Sequence, residues 1–259
     1  MSAVSRPTRA IIVAAGMGRR LAPYTDEMPK CLVPIAGRPM IVRQLDAFRA
    51  HGVDDIVVVR GYKAEVLERR RAELDPVRFV ENADYQKNNI LQSLFKAAPL
   101  LDGPFLSTYA DIVFGREVVT ALMDAPGDIC LVIDRDFAKV YEGRTEHPLS
   151  EGEVSAVSPA GLVTHVGKRS CPVDGAYGEF IGLAKYSARG ARALCDAYAA
   201  LAAAAAPFPR NTWQGAYLTD LYEHLIAAGF PITPVPIHGR WREIDTVQDL
   251  ERADRAVDW

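Results

Sequence analysis

The stretch "AIIVAAGMGRRLAPYTDEMPKCLVPIAGRPM" (residues 10–40) decides how the rest of the chain is read. Its first six residues are a continuous apolar run of strand length, the pattern of a strand buried on both faces. The run leaves through Gly16 and Gly18 into Arg19 and Arg20, and Lys30 follows directly behind Pro29. A loop built only to turn the chain needs no such set of cations, whereas a loop that receives phosphates does. Glycines let backbone amides approach a ligand closely, and the carboxyl end of a parallel strand is where open α/β sheets bind ligands. Pro29 fixes the backbone ahead of Lys30 and biases Met28 to an extended form, so the lysine is held rather than free to sweep. The spacing is neither G-x-G-x-x-G nor G-x-x-x-x-G-K-[ST], which disfavours a dinucleotide fold and a P-loop ATPase.

Outward from this loop, short β-branched runs recur at 10–15, 55–60, 77–80, 104–111 and 128–135, and helix-period segments such as 40–50 and 63–73 lie between them. That order predicts an α/β architecture, a mainly parallel sheet with helices on both faces. The middle of the chain departs from it. From Glu151 to Ser187 the pattern reads as a hairpin with a Pro-Ala-Gly turn followed by the strand "GEFIGLAKYS", an antiparallel insertion beside the parallel sheet. Helices are expected again at 188–206 and 215–228. "PITPVPIH" reads as a strand, and "DTVQDLERADRAV" as a closing helix capped by Asp245 or Thr246. With no internal repeat and no flexible linker, residues 1–259 read as one domain.

Composition narrows the functional classes. A chain of 259 residues with 49% hydrophobic and 24% charged residues is an ordinary globular protein with material for a sizeable core. Its formal charge of −3 gives no global basic field for nucleic acid, so a polyanion must be met by a local cluster. The four cysteines are scattered and form no C-x-x-C pair, which argues against a zinc site or a disulfide framework and for a reducing compartment. The first residues, "MSAVSRPTR", carry no apolar segment, and the longest apolar run is too short to span a bilayer, so a cytoplasmic location is expected. A homodimer is left open.

The string G-M-G-R-R-L, followed by M-P-K-C-L-V-P-I-A-G-R-P-M, resembles the signature of the sugar-phosphate nucleotidylyltransferase superfamily, usually G-x-G-[ST]-R-L and then P-K-x-L-x-P-[IV]-x-G-[KR]-P. The resemblance runs from about residue 9 to the C-terminal helix and implies a Rossmann-like three-layer αβα nucleotidyltransferase fold. It implies that Ala14, Ala15, Gly16, Met17, Gly18 and Arg19 cradle a nucleotide, with Arg19 replacing the usual small hydroxyl residue. Arg20 matches the family arginine and Lys30 the catalytic lysine. Phosphoryl chemistry also needs a divalent cation and converging carboxylates. Asp111, at the end of "STYADIVF", resembles the family's metal-binding aspartate, and Asp245 in "WREIDTVQDL" matches its W-x-E-I-D element. The cofactor implied is Mg²⁺.

"ENADYQKNNILQSLFKA" places Asn88 and Asn89 ahead of a helix and Ser93 one turn on. The pattern N-N-x-x-x-S-L looks like the nucleotide-binding stretch of choline-phosphate and phosphonate cytidylyltransferases. Lys168 stands where the family's second lysine does, with Gly167 for the preceding glutamate and Arg169 for the following proline. "GEFIGLAKYS" and "EIDTVQDLERA" are closer to the same cytidylyltransferases, and Glu179 would face a cationic or polar acceptor. The activity implied is transfer of CMP from CTP to a small phosphonate or phosphomonoester, phosphocholine or aminoethylphosphonate-like. Two alternatives stand beside it: a uridylyl- or thymidylyltransferase for a sugar 1-phosphate, and a non-catalytic nucleotide-sensing module. The polar segment "DRDFAKVYEGRTEHP" offers Asp134, Asp136, Lys139, Arg144 and His147 to a substrate, and Trp213 reads as a packing residue.

Overall fold

The computed structural model describes residues 6–204 and 208–259. The opening apolar run forms β1 (Arg9–Ala14), followed by a single helical turn at Arg19–Leu21, another at Lys30–Leu32, and the short ladder β2 (Pro34–Ile35) with β3 (Arg38–Pro39). The α/β alternation then proceeds through α1 (Met40–Arg49), β4 (Asp55–Arg60), α2 (Ala64–Arg69), α3 (Arg71–Leu74), β5 (Val77–Glu81), α4 (Ile90–Phe95) and β6 (Phe105–Tyr109). The strands β1, β4, β5 and β6 pair in parallel, as their near-continuous apolar runs require.

The second half begins with β7 (Ile112–Phe114), α5 (Arg116–Asp124), β8 (Ile129–Asp134) and α6 (Phe137–Tyr141). The hairpin β9 (Val154–Val157) and β10 (Val163–Val166) comes next, and then the long β11 (Gly178–Tyr186). The chain ends with α7 (Ala188–Ala203), α8 (Leu218–Ala227), β12 (Thr233–Ile237), β13 (Trp241–Glu243) and α9 (Val247–Ala256). Among the described residues nine strands share one sheet in the order β10-β9-β11-β6-β1-β4-β5, with β8 joined to β11 and β12. The antiparallel β11 links β6 to β8 and β9, so the expected insertion is a continuation of the sheet rather than an appendage.

Alternation along each strand divides the core. Ile12, Val58 and Leu106 pack with Ile41, Leu45 and Phe48 of α1 and Leu122 of α5 on one face. Ile11, Val57 and Val59 pack with Leu94 of α4 and Leu218, Leu221 and Leu225 of α8 on the other. This is the three-layer arrangement read from the sequence. A smaller cluster gathers Leu21, Val33 and Met40 with Ile244, Leu250 and Ala253, and so fixes the cationic loop against α9.

Several local expectations change. The helix expected at 63–73 breaks at Arg70 into two short pieces, and the helix expected at 215–228 starts only at Leu218. The end of the expected 188–206 helix lies outside the described residues. Thr246, not Asp245, caps α9: its hydroxyl accepts from the Asp249 amide at 3.2 Å. The polar segment after β8 is no open loop, since it contains α6 and is pinned at several buried points. No helix among the described residues is long and apolar enough to cross a membrane.

Candidate active site

The carboxyl ends of β1 and β6 meet at a cavity of about 420 Å³. On the β1 side Ala14, Ala15, Gly16, Gly18, Arg19, Arg20 and Lys30 line it. Gly18 caps the Arg19–Leu21 turn in the left-handed conformation (φ 59°), and a Cβ there would lie 3.0 Å from Lys30 Cβ. Glycine is therefore demanded twice, by the backbone angle and by the closeness of the lysine. Met17 does not line the cavity, against expectation; its sulfur sits 3.4 Å from Arg19 Nη2.

Lys30 is 9% exposed, and its ammonium donates to Asp111 Oδ2 at 3.0 Å and to Asp245 Oδ1 at 2.8 Å. Burial alone would lower the Lys30 pKa, but Asp111, Asp245 and Glu243 hold it above its ordinary value. Burial would raise the Asp245 carboxyl, yet Lys30, His147 and Arg20 hold it well below the usual carboxylate range. Arg20 donates to Asp245 Oδ2. Two residues far apart in sequence thus share one lysine.

The element that brings them together was not read from the sequence. β7 and β13 form an antiparallel ribbon with Ile112 opposite Glu243. One step beyond, the Ile244 amide donates to the Asp111 carbonyl at 2.9 Å, which sets the two aspartates side by side. The three-residue "IVF" and "WRE" runs are too short to be told from loop by periodicity. The ribbon is secured by the buried Asp134, whose Oδ2 accepts from Trp241 Nε1 at 2.7 Å and whose Oδ1 accepts from the Asp136 and Gly239 amides. Asp134 is therefore structural, not an available substrate contact. Arg144 is likewise committed, its guanidinium gripping Asp249 and Glu243 at 2.6–2.9 Å. His147 does reach the cavity, with Nδ1 3.0 Å from Asp245 Oδ2.

Asn88, Asn89 and Ser93 also line the cavity, but their polar side-chain atoms are bonded within the protein, to Asn82, to the Gly215 carbonyl and to the backbone of α4. Asn89 caps α4, accepting from the Ile90 amide at 2.8 Å and donating to the Gly215 carbonyl at 3.0 Å. The fully buried Asn82 donates to Asn88 Oδ1 and Ser93 Oγ at 2.8 and 2.9 Å. The Asn89 amide is spent on the helix end and the facing loop. Asn82, at the end of β5, organises this wall and was not singled out by sequence.

The opposite wall is acidic. Glu151, Glu153, Glu179 and Glu243 line it together with Lys168, Tyr109 and Tyr217. Lys168 Nζ donates to Glu151 Oε2 at 3.1 Å and lies 5.1 Å from the centre of the Tyr217 ring. Burial would lower the Lys168 ammonium, but Tyr217, Glu151 and Glu153 raise it. Glu153 accepts from Thr219 Oγ1 at 3.0 Å and Tyr109 Oη at 3.1 Å, and burial pushes it up to about 7. Glu179 Oε1 accepts from Tyr141 Oη at 2.5 Å, and burial followed by Glu243 pushes its carboxyl up to about 8.

A cluster of cations bonded to paired carboxylates at the rim of an α/β sheet agrees with what the comparisons with known proteins return. Residues 10–178 match the family model of the MobA-like NTP transferase domain. The chain belongs to the MobA-like NTP transferase domain family. It is a nucleotidyltransferase. Among its relatives, the CTP:phosphoglutamine cytidylyltransferase of Campylobacter jejuni is 29% identical over 93% of this chain and 97% of its own length. The 2-aminoethylphosphonate cytidylyltransferase of Lancefieldella rimae is 32% identical over 74% of this chain and 73% of its own length. The fold matches that of the CTP:phosphocholine cytidylyltransferase from Streptococcus pneumoniae with a TM-score of 0.76, 20% identity, and coverage of 97% of this chain and 99% of that one.

Proposed function

We propose that this nucleotidyltransferase is a cytidylyltransferase, transferring CMP from CTP to a phosphonate or phosphomonoester oxygen of a small molecule and releasing pyrophosphate. The observation that carries the reading is the Lys30 ammonium seated between Asp111 and Asp245 at the end of β1, in a chain whose full-length relative is a cytidylyltransferase.

Both reactants are anions, so positioning and charge neutralisation supply most of the rate. An acceptor oxygen attacks the α-phosphorus in line and pyrophosphate departs from the opposite side. No protein nucleophile is needed. Lys30 stabilises charge developing on the α-phosphate. Arg20, half-exposed and tied to Asp245, is placed to exchange that carboxylate for the departing pyrophosphate, with Arg19 beside it. Lys168 holds the acceptor anion. Asn82, Asn88 and Ser93 shape the wall against which the nucleoside lies.

Asp111 and Asp245 are the residues that would hold Mg²⁺. Among the described residues Asp111 Oδ1 is buried without a hydrogen-bond partner, and carboxylate oxygens are the donors a hard divalent cation takes. Magnesium bound there supplies further neutralisation of the phosphate charge.

The test is a pyrophosphate-release assay with CTP, UTP, dTTP and ATP against phosphocholine, 2-aminoethylphosphonate, other phosphonates and glucose 1-phosphate. CTP with a phosphonate or phosphomonoester should dominate. Dominance of UTP or dTTP with the sugar phosphate would replace this reading with a sugar-nucleotide one.

A further inference from the structure

The far wall of the cavity carries more acid than the transfer of a phosphate needs. Lys168 is matched by Glu151, and Arg144 by Asp249. Glu243 is bonded to Arg144 as well, so Glu153 and Glu179 remain without a salt bridge among the described residues, in a cavity that must also admit an anionic acceptor. Carboxylates crowded in this way repel one another unless they hold protons or a cation sits among them. Glu179 is the sharpest case: it is 4% exposed, it lines the cavity, and among the described residues its Oε2 has no hydrogen-bond partner. A buried acceptor atom without a partner is costly, and it asks for a donor from whatever fills the cavity.

Resting on the cytidylyltransferase reading, we infer that the acceptor carries an N–H-bearing ammonium group at its far end, received by Glu179 Oε2 with Glu153 and Glu243 beside it, and that a trimethylated ammonium is refused. The distinction comes from the wall itself. A quaternary ammonium has no hydrogen to give Glu179, so burying it there leaves Oε2 unpartnered. A primary ammonium supplies three donors in a compact group. Its charge also favours the ionised form of Glu179, which burial otherwise disfavours. Lys168 and Glu179 then read the two ends of a zwitterion: the lysine takes the phosphonate or phosphate, and the glutamate takes the ammonium. Because β9, which follows Glu153, pairs with Glu179 of β11, the acidic end is set by sheet geometry rather than by a loop.

The experiment compares three acceptors with CTP on the unmodified protein: 2-aminoethylphosphonate, its N-trimethyl analogue and ethylphosphonate, with phosphoethanolamine and phosphocholine as the ester pair. The amine should exceed both the trimethyl and the des-amino compound in kcat/KM by about 100-fold or more, because a site built to hydrogen-bond a donor rejects analogues that lack it. In Glu179→Gln, which keeps an oxygen for Tyr141, that ratio should shrink by at least about ten-fold. Equal use of the trimethyl compound, or an unchanged ratio in the variant, overturns the inference. Absence of pyrophosphate release with every acceptor would instead sink the cytidylyltransferase reading. Calorimetric titration of the same amine and trimethyl compounds into both proteins then decides the ammonium site, with preference for the amine lost in Glu179→Gln supporting it and no preference refuting it.

Discussion

At the scale of single residues the site turns on Lys30. Its buried ammonium is bonded to two carboxylates, and it is the group to which the proposed reaction assigns the charge developing on the α-phosphate. Lys30→Gln should lower kcat by about 10²–10³-fold, the usual worth of one preorganised charge-stabilising donor. Stopped assays of pyrophosphate release measure it, and unchanged turnover would remove Lys30 from the chemistry. Asp111 and Asp245 are expected to answer differently. Asp111→Asn should weaken binding of Mg²⁺ with CTP by roughly 10- to 100-fold or more. Calorimetry without acceptor reads that loss directly, and tight binding by the variant would take Asp111 out of the metal site.

At the scale of elements, the β7–β13 ribbon decides whether those aspartates meet. One of its anchors is the hydrogen bond from Trp241 Nε1 to the fully buried Asp134. Trp241→Phe leaves that carboxylate short of a donor and should cost about 1–3 kcal/mol of stability, seen as a lower urea midpoint. Catalysis should fall as well, because Asp245 lies four residues beyond Trp241 and is placed by this ribbon. The bend in β11 has its own requirement. Gly182 has φ 84°, and a Cβ there would stand 2.4 Å from the Tyr109 ring, where β11 shifts register against β8. Gly182→Ala should therefore cost at least about 1–3 kcal/mol. A midpoint equal to that of the parent protein would mean that β11 can straighten without loss.

At the scale of the whole molecule, the acidic wall links stability to pH. Burial raises Glu153 to about 7 and Glu179 to about 8, from an ordinary 4.5. The native state thus holds protons that the unfolded chain has already lost. The stability this contributes is fully present below about pH 4.5 and is lost as pH rises through the native values. Urea midpoints should fall between about pH 5 and about pH 8, and more gently in Glu179→Gln. Equal slopes in the two proteins would contradict a raised Glu179. An amine-bearing acceptor should offset the loss, since it binds the ionised form.

The same three scales separate what could be read early from what could not. The cationic loop was legible because its meaning is local: glycines, arginines and a proline-held lysine sit next to the strand that carries them. The parallel core was legible because strands buried on both faces leave continuous apolar runs. Asp111 and Asp245 were legible only as members of a family pattern, since an aspartate at a strand end and one before a helix each have an ordinary structural use.

Sequence by itself determined the layer order and the cationic loop after β1, because both follow from periodicity and from residues close in the chain. It also named Lys168 and Glu179 as acceptor-side residues through their resemblance to a family. Only the tertiary structure decided that Lys30 bridges Asp111 and Asp245, that Arg144 and Asp134 are spent on holding the wall, and that Asn89 is used as a helix cap. Those outcomes depend on hydrogen bonds between segments up to 215 residues apart. A linear pattern records which donors and acceptors a chain carries, whereas folding decides which of them are already satisfied and which are left for a ligand.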